Sequence, residues 1–307
     1  MGDEMAFMKV GIIGLGKMGE ALAYRMIKAG ISVVGYDIDE HARKHLCSIG
    51  GNTVEKIEDF VHKDIHVFWL MVPQGVLVDR VINELKPCLQ KGDIIVDGGN
   101  SKFIDSMQRA RELALFDISF LDCGTSGGVR GREDGFCLMV GGDSRAYQAI
   151  EHIVKAVAVP HGYGLLGPSG AGHYVKMVHN GIEYALLQAY AEGFHLLRDG
   201  MFKDSRLNLE KVAEIWNHGS VIRSWILELV QEIMNEDQDF NGIAGNVEAT
   251  GMGKWTVEQG HKSGVPVTLI EDSLKIRTWS QETGGNYATK LVALLRNKFG
   301  GHGVTKK

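Results

Sequence analysis

The sequence has few of the residues that stabilise small secreted domains or hold a structural zinc ion. Its 307 residues include only four cysteines, Cys47, Cys88, Cys123 and Cys137, which lie far apart with no C-x-x-C spacing. This distribution predicts reduced thiols in a cytosolic protein and excludes a disulfide framework or a zinc site built on paired cysteines. Proline is also scarce, at five residues.

Long apolar runs and basic blocks are missing as well. No segment approaches the roughly 18 to 20 apolar residues of a membrane-spanning helix; the strongest run, 67–73, has the length of a buried strand. The 33 basic residues are outnumbered by 38 acidic ones, and no basic block is longer than Lys306-Lys307. We therefore expect no nucleic acid and no membrane as a partner. Residues 1–7 lack an apolar stretch of signal-peptide length, so we expect a cytoplasmic protein.

Glycine, by contrast, is abundant, at 40 of 307 residues, about 13% against a typical ~7%. From Lys9 onward, short β-branched runs alternate with helical stretches, which predicts parallel strands joined by crossover helices. The predicted strands are residues 9–13, 32–36, 66–71, 94–97 and 119–122, and the predicted helices are 19–29, 41–49, 75–85 and 105–114.

A glycine-rich turn links the first predicted strand to the first predicted helix and reads Gly14-Leu15-Gly16-Lys17-Met18-Gly19. Its glycines allow a tight bend, backbone approach to a pyrophosphate, and close packing of helix on strand. Asp37 lies 18 residues after Gly19. A carboxylate at this position can accept hydrogen bonds from both hydroxyls of the adenosine ribose and would repel a 2′-phosphate. The pattern predicts a dinucleotide site that favours NAD over NADP; Arg43, further into the next helix, weakens that preference slightly.

Beyond about Gly164 the pattern becomes helical. Residues from Ser169 to about Arg198 contain no proline and have apolar residues near helical period, which predicts a helix of ~30 residues, or ~45 Å. Further helices are predicted at 209–216, 222–234, 255–262, 268–283 and 287–298. We therefore predict an α/β Rossmann-type doubly wound sheet followed by an all-α domain. The dinucleotide-binding domain is expected over 8–165, and a helical substrate and oligomerisation domain over 166–307.

Three polar residues on the long helix have the spacing of a catalytic group. Lys176, Asn180 and Glu183 stand at i, i+4 and i+7, so they fall within about 60° of one another. An ordinary solvated face has the same pattern, but here a glycine-dense segment, 167–172, precedes it. Two further glycine-rich segments, 97–101 and 126–128, follow predicted strands where an open α/β sheet has its ligand crevice.

These segments resemble the 6-phosphogluconate dehydrogenase family, within the β-hydroxyacid dehydrogenase superfamily. The resemblance runs from about Met8 to His302, and the chain length resembles the short, NAD-preferring members. Its most specific part is the block Lys176-Met177-Val178-His179-Asn180-Gly181-Ile182-Glu183-Tyr184, and the other parts are 14–19, 97–101, 126–128 and Gly253-Lys254-Trp255-Thr256.

The resemblance implies oxidative decarboxylation of 6-phosphogluconate to ribulose 5-phosphate and CO2 without a metal. Lys176 would be the general base that takes the C3 hydroxyl proton, and Glu183 the general acid that protonates C1 of the enediol. A free lysine has a pKa of ~10.4, whereas a base needs a pKa nearer 7 to 8, which burial or a neighbouring cation can provide.

The resemblance also implies the binding residues. Those orienting the sugar acid would be Asn100, Ser126, Gly127, Gly128, His179 and Asn180, and those holding its phosphate Tyr184, Arg277, Arg296 and His302. The cofactor residues would be Gly14, Leu15, Gly16, Lys17, Met18, Gly19, Asp37, Met71, Val72 and Asn100. In the family the C-terminal tail reaches the neighbouring subunit's site, which implies a homodimer or homotetramer.

The sequence departs from the family at one place and leaves two other functions open. Thr250 and Met252 stand where long members have a phosphate-binding lysine and a threonine, and Lys254 either compensates or is a surface charge. A hydroxyisobutyrate-type dehydrogenase shares the nucleotide fold, and a catalytically silent NAD-binding sensor would share the cofactor site. A metal site is not predicted, because the histidines lack an H-E-x-x-H or comparable spacing; those considered are His152, His161, His173 and His179.

Overall fold

The computed structural model describes residues 9–249 and 251–306, so the predictions for Met1–Phe7 and Thr250 lie outside the described residues. Contacts along the chain divide it into two compact units, between Lys176 and Met177. This division falls inside a long helix, and each unit is described by itself. The predicted boundary between the functional domains, 165/166, stays a prediction.

The first unit is built on one sheet, in which the described residues form eight strands. They are β1 (Lys9–Ile13), β2 (Ser32–Tyr36), β3 (Asn52–Thr53), β4 (Val67–Leu70), β5 (Ile94–Asp97), β6 (Ser119–Ser126), β7 (Phe136–Gly141) and β8 (Ala158–Gly167). Their order is β3-β2-β1-β4-β5-β6-β7-β8. Every pair is parallel except β6 with β7.

Helices of this unit cover both faces of the sheet. They are α1 (Lys17–Lys28), α2 (Glu40–Ser48), α3 (Val76–Leu85), α4 (Phe103–Ala114), α5 (Gly131–Asp134) and α6 (Ser144–Val157). Because side chains alternate along a strand, Val67 and Trp69 enter the core formed with α1 and α6. Phe68 and Leu70 enter the other core, with α3 and α4. β4 is therefore buried on both faces, as its apolar sequence predicts.

The predicted Rossmann-like fold is confirmed. The differences between the predicted and the observed elements have local causes. β1, β2 and β5 have the predicted bounds, whereas β6 continues from the predicted end at Asp122 to Ser126. β3, β7, β8, α5 and α6 were not predicted. β8 is an edge strand that contains Pro160, and proline and glycine weaken a strand pattern.

The second unit is helical, as predicted. The long helix α7 (Ala171–Asp199) enters it, and α8 (Leu209–Asn217), α9 (Trp225–Glu236), α10 (Gly251–Ser263), α11 (Thr268–Thr283) and α12 (Tyr287–Gly300) follow. Leu187, Ala191 and Phe194 of α7 share one core with apolar residues of α9 and α12. α10 begins four residues before its predicted start at Trp255.

No helix in the described ranges is both long enough and apolar enough to span a bilayer. All four cysteines carry free thiols. The cytoplasmic location stays a prediction.

Candidate active site

The glycine-rich turn has different constraints at each of its three glycines. Gly14 has φ +95°, and a Cβ there would lie 2.6 Å from the carbonyl oxygen of Met71. A Cβ at Gly19 would lie 2.0 Å from the Gly14 oxygen. At Gly16, by contrast, a Cβ would meet no atom of the described residues within 4 Å. Gly14 and Gly19 are therefore required by packing, while Gly16 leaves open space at the start of α1, the place predicted for the pyrophosphate.

A cavity of about 650 Å³ lies beside this turn, at the carboxyl ends of β1, β2, β4 and β5. Its size suits a small-molecule ligand, and its place is where an open α/β sheet binds one. Seven of the predicted cofactor residues line the cavity: Gly14, Gly16, Met18, Asp37, Met71, Val72 and Asn100. Leu15, Lys17 and Gly19 are in the turn but are not part of its lining. Sequence reasoning missed Pro73, Gln74 and Thr125, which also line it and follow or end strands.

Backbone donors fix the carboxylate of Asp37 at the wall of this cavity. The Leu15 N–H donates to Asp37 Oδ2 at 2.6 Å, and the Asp39 N–H donates to Oδ1 at 2.9 Å. A carboxylate in this position can accept ribose hydroxyls and repels a phosphate. Arg43 Nη1 donates to the carbonyl oxygen of Asp37 at 2.6 Å, so the positively charged guanidinium of Arg43 also contacts Asp37.

Lys176 lies near the start of α7, and hydrogen bonds to a residue of β6 hold this end of the helix in place. The buried carboxylate of Asp122 accepts the N–H of Gly170 at 2.6 Å and that of His173 at 2.8 Å. These are N–H groups at the start of a helix, which have no intrahelical partner. His173 is also held by Ser106, whose Oγ lies 2.8 Å from Nδ1. The first turn of α7 is therefore well anchored, and Lys176, which follows it in the next turn, is only 6% exposed.

Glycines let this turn approach the sheet closely. A Cβ at Gly124 of β6 would lie 2.4 Å from Lys176 Cβ, and one at Gly172 would lie 2.4 Å from the Met139 carbonyl oxygen. Gly141 faces the same turn, with its ideal Cβ 2.6 Å from the Gly172 nitrogen. The start of α7 can therefore lie this close to the sheet only because these residues lack side chains.

If Lys176 is the predicted general base, we expect Gly124→Ala to lower kcat by about 100-fold, because an added Cβ would lie 2.4 Å from Lys176 Cβ and small misplacements at a reacting centre have effects of that order. Steady-state kinetics and thermal melting measure the effect. Gly193→Ala is the matched control, because Gly193 lies on α7 and a Cβ there meets no described atom within 4 Å. A Gly124→Ala enzyme with wild-type kcat would show that this contact does not position the lysine.

The other two residues of the polar stripe lie further along α7. Asn180 and Glu183 are half-buried, and Asn180 Oδ1 lies 3.0 Å from Nδ1 of His179. Their spacing from Lys176 on one continuous helix is four and seven residues. The roles predicted for these side chains stay predictions.

The second unit contains a buried arginine that lies against Tyr184, the residue after Glu183. Arg277 of α11 is 2% exposed, and its guanidinium carbon lies 3.2 Å from the ring centroid of Tyr184. Burial lowers the pKa of Arg277 to about 10, and the neighbouring Arg296 charge adds to this effect while Glu183 opposes it. Three predicted phosphate residues are thus brought together, and Arg277 Nη2 has no hydrogen-bond partner in the described part of the chain.

The Gly253-Lys254-Trp255-Thr256 motif packs α10 on α7. A Cβ at Gly253 would lie 2.5 Å from the Tyr184 ring. Thr256 Oγ1 donates to the Met177 carbonyl oxygen at 2.7 Å. Lys254 is exposed and lies 3.9 Å from Glu258, so it is a surface charge in this structure, and Met252 is buried.

The C-terminal tail folds back on its own chain. The Ala244 N–H donates to the Thr305 carbonyl oxygen at 2.9 Å, and Ile243 bridges Lys306. His302 is exposed, and its carbonyl oxygen accepts Asn297 Nδ2 at 2.7 Å. The homodimer or homotetramer, and the tail's place in a neighbouring site, stay predictions. Within residues 9–249 and 251–306 no three His, Cys, Asp or Glu side chains could hold a metal ion.

Comparison with known proteins identifies the family. Residues 9–166 match the sequence model described as the NAD binding domain of 6-phosphogluconate dehydrogenase, and residues 172–304 match that of its C-terminal domain. A Haloferax volcanii protein named 6-phosphogluconate dehydrogenase, NAD(+)-dependent, decarboxylating is 44% identical over 304 residues, covering 98% of this chain and 99% of that protein.

Two solved structures are similar. Plasmodium falciparum 6-phosphogluconate dehydrogenase, solved apo, with NADP+ and with 6-phosphogluconate, superposes with a TM-score of 0.80 at 28% identity, over 89% of this chain and 62% of that one. A Salmonella typhimurium 3-hydroxyisobutyrate dehydrogenase has a TM-score of 0.75 at 20% identity, over 92% of this chain and 98% of that one, which shows a shared fold alone. Since both halves of the sequence match its family models, the chain belongs to the 6-phosphogluconate dehydrogenase family.

Proposed function

We propose that the protein oxidises 6-phosphogluconate with NAD and releases CO2 and ribulose 5-phosphate, without a metal ion. The observation that carries this proposal is the buried position of Lys176 near the anchored start of α7, on the same helix as Asn180 and Glu183. The Haloferax relative, similar over the full chain, is named for this activity. The hydroxyisobutyrate-type alternative has support only at the level of the fold.

The residues around the cavity fit a dinucleotide. When bound, NAD supplies the acceptor for the hydride that leaves C3 of the substrate. Gly16 leaves space for the pyrophosphate at the N-terminus of α1, and the anchored carboxylate of Asp37 receives the adenosine ribose. Asp37 is the reason for preferring NAD over NADP. The guanidinium of Arg43 donates to the Asp37 carbonyl oxygen, and this nearby positive charge reduces the preference, so that NADP binds as the weaker cofactor.

Lys176 transfers a proton in each of the first two steps. As a neutral amine it takes the proton of the C3 hydroxyl while the hydride leaves C3. The product is a β-keto acid. When its C1–C2 bond breaks, CO2 leaves and the electron pair moves toward the C3 oxygen. The lysine ammonium protonates that oxygen and gives the enediol.

Glu183 completes the reaction. It donates a proton to the enediol carbon that becomes C1 of ribulose 5-phosphate, while the neighbouring oxygen returns its proton to Lys176. Asn180, His179, Asn100 and the Ser126-Gly127-Gly128 segment orient the sugar acid. Each of these roles is the one that the resemblance to the family implies for the residue.

Arg277 and Arg296 hold the substrate phosphate in this proposal. Arg277 stays charged at neutral pH even with its pKa lowered to about 10. It lies on Tyr184 with Arg296 nearby, so an anion placed there neutralises two neighbouring cations. An arginine fork also matches phosphate geometry.

We expect Arg277→Lys to raise the KM for 6-phosphogluconate by 10-fold or more with a smaller change in kcat, because lysine keeps the charge but loses the fork. The rate with gluconate, which lacks the phosphate, should change little. Arg223→Lys, at an exposed position of the second unit, is the matched control. An unchanged KM in a folded Arg277→Lys protein would place the phosphate elsewhere.

A substrate panel tests the function itself. Absorbance of the reduced nicotinamide is followed with 6-phosphogluconate, gluconate and hydroxyisobutyrate, each with NAD and with NADP. The proposal predicts the highest kcat/KM for 6-phosphogluconate with NAD. Preference for hydroxyisobutyrate would favour the alternative dehydrogenase, and no reduction with any acid would favour an NAD-binding sensor.

A further inference from the structure

One buried guanidinium, outside the predicted site, joins three elements of the first unit. Arg109 of α4 is 5% exposed. Its Nε donates to Asp79 Oδ1 of α3 at 2.7 Å, and its Nη1 lies 3.4 Å from Asp97 Oδ2 at the end of β5. Its Nη2 donates to the Gly75 carbonyl oxygen, immediately before α3, at 3.2 Å. All three nitrogens of the guanidinium are therefore used.

The partners of Arg109 are continuous with two segments that line the cavity. Gly75 follows the segment Val72–Gln74, and Asp97 precedes the segment Gly98–Asn100. Arg109 itself is not among the residues that line this cavity. Its hydrogen bonds therefore act on the cavity from behind, through the backbone of the two segments.

Asp97 extends this connection into the second segment. Its Oδ1 accepts the Gly99 N–H at 3.2 Å, and its Oδ2 accepts the Ser101 hydroxyl at 2.7 Å. The Asp97 side chain is fully buried, and a carboxylate out of water needs a compensating charge. Arg109 supplies that charge, so the same cation that holds α3 also stabilises the carboxylate that shapes the turn at Gly99.

We infer that Arg109 is a positioning residue that sets the affinity for the dinucleotide by holding the Val72–Gly75 and Gly98–Ser101 segments in one arrangement. This inference rests on the dinucleotide site of the proposed function. Lysine at this position keeps the charge but cannot make three divergent hydrogen bonds, because its donors lie on one nitrogen.

Binding of NADH to the purified full-length protein tests the inference independently of turnover, by nicotinamide fluorescence. Arg109→Lys should raise the Kd for NADH at least tenfold, with kcat at saturating NAD within about threefold of wild type. Asp79→Asn, which weakens only the contact with α3 and leaves Asp97 paired, should raise the Kd by a smaller factor. Arg111→Lys is the matched control, because Arg111 is exposed on the same helix, and it should leave the Kd unchanged.

The outcomes separate this inference from the proposed function. A wild-type protein that does not bind NADH would contradict the proposed function. A wild-type protein that binds NADH, with a folded Arg109→Lys variant of equal Kd, would contradict the positioning role alone. A fall in melting temperature with equal Kd counts as the same contradiction. If Arg109→Lys does not fold, Asp79→Asn decides, and an unchanged Kd there would overturn the inference.

Discussion

Replacing Lys176 with methionine is expected to lower kcat by about 10³-fold and to leave the Kd for NADH within about twofold of wild type. The methionine side chain has similar length and suits a buried position, but it can neither take the C3 proton nor return one. General acid–base catalysis contributes 10²- to 10⁴-fold, and this residue acts in two successive steps. Steady-state kinetics with 6-phosphogluconate and a separate NADH titration measure the two quantities.

The control for this substitution is Lys155→Met, at an exposed position on α6. It makes the same lysine-to-methionine change in the same unit and should leave both kcat and the Kd unchanged. A Lys176→Met enzyme that turns over at a rate near wild type would eliminate Lys176 as the base. A variant that loses NADH binding as well would indicate damage to the first unit rather than loss of a proton acceptor.

Glu183→Gln is expected to slow steady-state turnover by about 10²-fold or more while sparing the oxidation step. Glutamine keeps the shape of the side chain but has no proton to donate to the enediol. Since that proton transfer follows hydride transfer, the first turnover should still reduce about one NAD per site. Stopped-flow absorbance should therefore show a burst of reduced nicotinamide followed by a slow phase.

Glu192→Gln provides the comparison, because Glu192 is exposed on the same helix, where it accepts a hydrogen bond from Gln188. It should show wild-type turnover. If Glu183→Gln lacked the burst and reduced NAD slowly from the first turnover, Glu183 would act before or during oxidation, and its assignment as the final acid would be wrong.

Patterns local in sequence predicted most of the fold. The alternation of β-branched runs with helical stretches predicted β1, β2, β4 and β5, because buried strands and amphipathic helices differ in period. The same reasoning missed β8, where Pro160 and three glycines weaken the strand signal, and β7, which follows a glycine-rich turn. Both strands are stabilised by pairing with neighbours, which sequence periodicity does not reveal.

Tertiary contacts of the candidate site were not predictable in this way. The glycine turn at 14–19 and Asp37 were found because their spacing is fixed by local geometry. The approach of Gly124 to Lys176 joins residues 52 positions apart, and the hydrogen bond of Arg109 to Asp79 joins residues 30 apart. Only the folded chain reveals such pairs, because many arginines and glycines in the sequence have similar local surroundings.

Oxidative decarboxylation without a metal ion is tested by measuring reduced nicotinamide and CO2 together, with 6-phosphogluconate, NAD and a metal chelator present. We expect the two products to appear in equal amounts and the chelator to leave the rate unchanged. Reduced nicotinamide without CO2, or activity that returns only when a divalent metal is added, would contradict this expectation.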